Sequence, residues 1–126
     1  MGASAIRIAG ADRTVTNQSG SNYADALQVS ARRCRLHKLS VSNIGAADVY
    51  LWFFDSAAAA TAAPVHVRLV PAGLADTYDF GGDGGLFTNG LYVRAGTADP
   101  TDATTAITGA GNNAVIIKAD YREERI

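Results

Sequence analysis

Residues 36–54 read LHKLSVSNIGAADVYLWFF, two runs in which apolar side chains recur at every second position. The same alternation continues as far as Val93, through runs joined by short turns of glycine, proline and alanine. A period of two is typical of β-strands that bury one face. The inward positions that it predicts are Leu39, Val41, Val49, Leu51, Phe53, Val65, Val67, Leu69, Leu91 and Val93.

Working outward from this stretch, alternation at 27–31 and 114–121 predicts further strands, and 4–8 predicts a short first one. Segment 12–22 is rich in threonine, asparagine, serine and glycine, which indicates a loop or flexible arm. The alanine-rich run 56–63 is too short for a stable isolated helix. Without helical crossovers, antiparallel pairing is favoured. We therefore predict an all-β fold, an antiparallel β-sandwich of jelly-roll or Greek-key type with about eight strands.

Length and composition limit the class of protein. The 126 residues are expected to form one domain, residues 1–126, ending in a charged tail at 122–126. Charged residues make up 18%, below the roughly 25% of an average soluble domain, which favours a surface that other protein covers. The net charge of −1 argues against direct nucleic-acid binding. No apolar run approaches the roughly 18 residues of a membrane span, and the start lacks a signal-peptide pattern.

Acidic residues and glycines cluster together at one place in the chain. Asp76, Asp79 and Asp83 lie around the glycine run 81–85, where carboxylates could act in acid–base chemistry or bind calcium. Their spacing does not match an EF-hand loop, and aspartate is common in turns because it bonds the local backbone. The glycine run lacks the helix and the lysine of a phosphate-binding loop, so it predicts a hairpin turn.

The histidines and the cysteine give no catalytic pattern. His37 and His66 lack a recognisable nucleophile motif and are too few to form a metal site without a third ligand. Because His66 alternates with the inward positions Val65 and Val67, we expect it to face solvent or a neighbouring subunit. Cys34 is the only cysteine, so no intramolecular disulfide can form, and it is expected to be a small buried residue. The sequence therefore predicts no enzyme, no cofactor and no metal.

Two groups of residues are candidates for an interface. A basic cluster beginning at Arg32 either borders a solvated strand edge or binds an acidic patch on a partner protein. Aromatic residues on the face opposite Leu51 and Phe53 could cover a second core layer, form a subunit interface or stack against sugars. The candidates, including two arginines of the tail, are Arg32, Arg33, Arg35, Tyr50, Trp52, Tyr92, Arg122 and Arg125.

One resemblance bears on function. The segment from Leu39 to Asp55 resembles small β-sandwich structural proteins of tailed bacteriophages. So do the later turns and strand, VPAG at 70–73, FGG at 80–82 and GLFTNGLYV at 85–93. About half of the chain, residues 36–96, carries the likeness, and its motifs are structural residues without a catalytic role.

The resemblance implies a non-enzymatic virion protein, first of all a capsid decoration (cement) protein that binds and stabilises the phage head. Its partners would be the major capsid protein or another virion protein, and copies of itself, with a trimer expected first. It would act through many weak contacts in parallel. It would lie in the virion, on the head or the tail, after assembly in the bacterial host cytoplasm. The alternative is a tail- or fibre-associated receptor-binding or glycan-binding module that uses Tyr50 and Trp52 or the loop 96–113.

Overall fold

Strands form all the regular secondary structure in the described part of the chain, in agreement with the alternating sequence. A computed structural model describes residues 11–57, 64–97 and 114–124. The strand predicted at 4–8 lies outside these ranges. Within them, no helix is long and apolar enough to cross a membrane. The strands are β1 (Arg13–Thr16), β2 (Gln18–Ser19), β3 (Asn22–Tyr23), β4 (Ala26–Ser30), β5 (Cys34–Asn43), β6 (Val49–Phe54), β7 (His66–Val70), β8 (Ala75–Asp79), β9 (Gly85–Phe87), β10 (Leu91–Gly96) and β11 (Val115–Glu123).

Two antiparallel sheets make up the sandwich. The first has the order β1-β11-β5-β8, with β9 also paired to β5, and the second has the order β4-β10-β6-β7. The two-residue strands β2 and β3 form a separate small hairpin. Eight main strands remain when the small hairpin is left out and β8 and β9 are counted as one interrupted strand. Renumbered from one to eight along the chain, they follow the order 1-8-3-6 in the first sheet and 2-7-4-5 in the second. This order is that of a jelly roll, and it confirms the predicted fold class.

The core lies between the sheets and is built from the inward positions of the long strands. Leu39 and Val41 of β5 and Leu51 and Phe53 of β6 are buried in it, as the alternation predicted. Each such side chain contributes about 1.5–3 kcal/mol when fully buried. The other large contributors to this apolar layer are Leu36, Val49, Leu91, Val93, Val115 and Ile117.

Segment 12–22 differs from its prediction as a loop. Arg13–Thr16 pairs in regular antiparallel register with β11, from Tyr121 back to Lys118. The polar composition suggested a loop because β1 lies at the edge of the sheet among the described residues and packs only Val15 against the core. Asn17 then anchors the chain, since its amide donates to the Val115 carbonyl at 2.9 Å and accepts from the Ile117 amide at 2.9 Å.

The glycine run also differs from its prediction, because it does not close a hairpin. β8 and β9 pair with successive parts of the same edge of β5, and residues 80–84 leave that edge between them. On its other side β5 has a bulge at His37, which falls between the registers Lys38↔Asp120 and Leu36↔Tyr121. Residues 80–84 cover this bulge, since His37 Nδ1 lies 3.3 Å from the Gly81 carbonyl oxygen. Gly84 is required here because its φ is +76° and a Cβ would lie 3.0 Å from the Leu36 carbonyl oxygen.

A buried asparagine joins three segments at one end of the sandwich. Asn43, at the end of β5, is only 1% exposed. Its Nδ2 donates to the Ala47 carbonyl at 2.8 Å and to the Val70 carbonyl at 2.9 Å, and its Oδ1 accepts from the Gly45 amide at 3.0 Å. The end of β5, the turn before β6 and the end of β7 are therefore held by a single amide.

We expect Asn43→Ala to lower the free energy of unfolding by about 2–4 kcal/mol. The reason is that each buried backbone group left without its hydrogen-bond partner costs about 1–3 kcal/mol. Urea denaturation followed by circular dichroism measures this change. Asn89→Ala is the control, since Asn89 is exposed and its contact with Asp55 is made by its backbone amide. Equal stability of the two variants would contradict the anchoring role of Asn43.

Candidate interaction surface

Strand β7 faces the opposite way from the sequence prediction. Val70 is buried in the core, and the His66 ring packs edge-on against Phe53 with 5.2 Å between ring centroids. By the alternation of a strand, Val67 and Leu69 therefore lie on the outer face. The predictions that Val65, Val67 and Leu69 point inward, and that His66 points outward, are wrong.

The reason is that β7 lies at the rim of the second sheet, where it pairs with β6 alone among the described residues. Its inner face lies opposite β8 of the first sheet as well as against the core. Arg68 spans this gap, with its guanidinium carbon 5.1 Å from the centre of the Tyr78 ring. A cation above an aromatic face is attracted to the ring electrons, so this contact draws the charge of β7 inward.

Arg68 also determines the electrostatics of His66. Arg68 Nε donates a hydrogen bond to His66 Nε2 at 2.8 Å, which requires the neutral imidazole as acceptor. Burial, and secondarily the positive charge of Arg68, lower the pKa of His66 below its usual value. The inner face of β7 thus carries one charge, which is directed at Tyr78, and the outer face of the strand carries none.

The outer face of β7 is an exposed apolar row. Val65, one residue before the strand, is 60% exposed, Leu69 is 48% exposed and Val67 is half-buried. We call Val65, Val67 and Leu69 the β7 stripe. Edge strands in monomeric proteins usually carry charged side chains, prolines within the strand or bulges that prevent pairing with another chain. The stripe has no outward charge, so this edge is chemically suited to contact with another protein.

Two arginines of the predicted basic cluster share one carboxylate within the chain. Arg33 Nε lies 3.3 Å from Glu124 Oε1, and Arg35 Nε lies 3.0 Å from Glu124 Oε2. The hydrogen bond from Arg35 is the main cause of a lowered pKa at Glu124. Arg32 is exposed in the β4–β5 turn. Arg122 is half-buried on β11, opposite Arg35, whereas Arg125 lies outside the described residues.

The aromatic candidates lie on the second sheet, away from this arginine cluster on the first. Trp52 is only 1% exposed, so its ring offers no stacking surface to a sugar. Tyr50 and Tyr92 are half-buried, and Tyr92 packs beside Phe54 with 6.4 Å between centroids. The structure therefore does not bring the seven described candidates into one surface, and the burial of Trp52 removes its ring from direct contact with a ligand.

The described residues give little support to catalysis. They contain no group of three or more His, Cys, Asp or Glu side chains placed to hold a metal ion. Cys34 is fully buried, and burial raises the pKa of its thiol to about 11, so the reactive thiolate is scarce at neutral pH. A shallow groove of about 450 Å³ carries charges of both signs but no activated nucleophile; it is lined by Ala11, Asp12, Arg13, Thr14, His37, Lys38 and Asp120.

Comparison with protein-family models, with curated proteins and with solved structures finds no match for this chain. The surface must therefore be interpreted from its own chemistry.

Sequence reasoning did not identify the β7 stripe as a surface, although a signal was present. Pro64 and Pro71 bracket the strand, and proline is confined to the edges and ends of sheets because it cannot donate to the ladder. The bracketing prolines indicate an edge strand, and an edge strand can turn polar residues toward the rim. Arg68 in the middle of the run was the second signal.

The lowered pKa of His66 predicts a pH dependence of stability. Between the usual histidine pKa of about 6.5 and the lower folded value, the unfolded chain binds more protons, so the free energy of unfolding decreases as the pH falls. Urea denaturation at pH 7 and at about pH 5.5 measures this decrease. His66→Gln keeps an acceptor for Arg68 but cannot titrate, so it should lose less stability over the same interval. An equal loss in both proteins would contradict this assignment.

Proposed function

We propose that this chain is a non-enzymatic structural protein of a tailed-phage virion, and that it acts by binding other proteins through the β7 stripe. Capsid decoration is the specific role that we propose, with the major capsid protein or another virion protein as partner. Its location would be the phage head, after assembly in the cytoplasm of the bacterial host.

The exposed β7 stripe carries this proposal. A row of valine and leucine on an unguarded strand edge is unfavourable in water and becomes favourable when another protein covers it. The jelly-roll topology agrees with the proposal by analogy, because viral capsid domains use it, although lectins and cupins use it as well. The likeness of residues 36–96 to phage sandwich proteins supplies the virion context.

The glycan-binding alternative has less support. It requires an exposed aromatic platform, and Trp52 is buried. Its other candidate, the loop 96–113, lies outside the described residues beyond Thr97.

Cosedimentation of the purified protein with heads that lack it tests the proposal. We expect wild-type protein to bind, and Leu69→Asp to bind about tenfold more weakly or worse, because a charge in the contact must be desolvated without a partner. Leu86→Asp is the matched control, since Leu86 is also an exposed leucine but lies on β9 of the other sheet. Circular dichroism verifies that both variants are folded. No binding by wild-type protein, or equal binding by both variants, would contradict the proposal.

A further inference from the structure

We propose that the β7 edge pairs with the β7 edge of a second copy of this chain, antiparallel, about a two-fold axis that passes between the two Val67 residues. This inference rests on the proposed function: the backbone edge of β7 pairs with a second copy, and the outer faces of the two stripes remain side by side for contact with the virion partner. The result would be one continuous eight-stranded sheet formed from two four-stranded sheets.

An edge strand attracts another strand because its outward N–H and C=O groups need partners. No described residue pairs with the outer edge of β7. Charged side chains on either face of an edge strand are the usual protection against such pairing. The charged residue of β7, Arg68, is exposed on the inner face, where it lies over Tyr78 of β8 and donates to His66 of its own strand, so the outer face carries no charge. Among the described residues, the outer edge of β7 therefore has unpaired backbone groups and an outer face without charge.

The symmetry of the contact limits the register. A two-fold axis normal to the sheet keeps the outer face of one copy continuous with the outer face of the other. Each outward residue must then oppose an outward residue, so the axis must pass through a residue position and not between two positions. The possible centres within the strand are few, and they can be compared one by one.

A centre at Val67 places Val67 opposite itself and Val65 opposite Leu69, so the whole stripe pairs with itself. A centre at Arg68 would oppose two arginines, and like charges directly opposite each other are destabilising. A centre at Leu69 or at Val70 would place Pro71, which has no amide donor, opposite Val67 or Leu69 respectively. A centre at His66 would place Leu69 opposite position 63, outside the β7 stripe, so the stripe would not pair with itself. The register through Val67 is the one that satisfies both faces.

The inner face supports the same register. There His66 of one copy lies opposite Arg68 of the other. Because His66 is held neutral by burial and by its own Arg68, it presents no charge to repel the second arginine. The central pairing window, residues 65–69, contains neither of the flanking prolines.

This pairing differs from the trimer expected from the resemblance. A two-fold contact uses the same edge of both copies and leaves that edge filled, so the product is a dimer. A dimer would double the number of contacts each unit makes with a repetitive particle, which strengthens attachment by avidity. Loss of head binding by Leu69→Asp would then include the loss of this second contact.

Cysteine cross-linking tests the register directly. Directly opposed residues of an antiparallel pair have Cα atoms about 4.5–5.5 Å apart, inside the range that a disulfide spans. Val67→Cys should therefore form a disulfide-linked dimer under mild oxidation. Cys34 can stay in place because it is fully buried and its thiol pKa is raised to about 11.

The neighbouring positions provide matched controls. Val65→Cys alone and Leu69→Cys alone should cross-link no more than chance collisions allow, although both side chains are more exposed than Val67. An equimolar mixture of these two variants should give the cross-linked pair. Cross-linking of Leu69→Cys with itself above that of Val67→Cys, or no excess for Val67→Cys, would overturn the proposed register.

Sedimentation of proteins without added cysteines provides a second measurement. We expect wild-type protein and Leu86→Asp to sediment as dimers and Leu69→Asp as a monomer. If Leu69→Asp loses head binding while Val67→Cys stays monomeric, the self-pairing is overturned and the proposed function stands. If Val67→Cys cross-links and wild-type protein does not bind heads, the self-pairing stands and the virion role is overturned.

Discussion

The buried amide of Asn43 is the constraint on which the arrangement of β7 depends. It is almost completely removed from water, so each of its polar atoms must have a partner inside the protein. One of those partners is the Val70 carbonyl, at the end of β7. With that carbonyl fixed and Val70 packed in the core, period-two alternation determines the direction of every earlier residue of the strand. A polar contact at one end of the sandwich thereby helps to hold β7 in the register that leaves Val67 and Leu69 on the outer face.

Arg68 completes this arrangement at the rim. A charged side chain in the middle of an edge strand would normally extend into solvent and discourage pairing. Here it bridges to the neighbouring sheet, over Tyr78, and donates to His66. A cation–π contact at an exposed site is worth only about 0.5–1 kcal/mol. That modest energy is enough to decide the direction of a flexible side chain, and so it changes the chemistry of a whole edge.

The sequence allowed the fold to be predicted more fully than the surface. Leu39, Val41, Leu51 and Phe53 were placed correctly because long strands in the middle of a sheet bury one face along their whole length. For β7 the alternation of the two faces was predicted correctly, but the residues assigned to the inward face were the wrong ones. Apolar alternation reveals which residues share a face, but the inward face is set here by the register with β6, which places Val70 opposite Val49 and His66 opposite Phe53.

The same limit explains the other differences. Arg33 and Arg35 looked like a free basic cluster because their partner, Glu124, is 91 residues from Arg33 in the chain. Alternation placed Trp52 on the face opposite Leu51 and Phe53 but left open whether that face is a second core layer, a subunit interface or a sugar platform; its burial agrees with a covered face. The edge strand β1 was missed because it buries only one valine and its polar residues resemble those of a loop.

The break between β8 and β9 has a consequence for the other sheet. An incoming strand laid along β8 would meet the excursion at residues 80–84 after five paired positions, and could not continue straight onto β9. This border of the jelly roll is therefore a poor template for fibril growth. On this side of the sandwich, the border formed by β7 is continuous over five residues, whereas the border formed by β8 and β9 is interrupted.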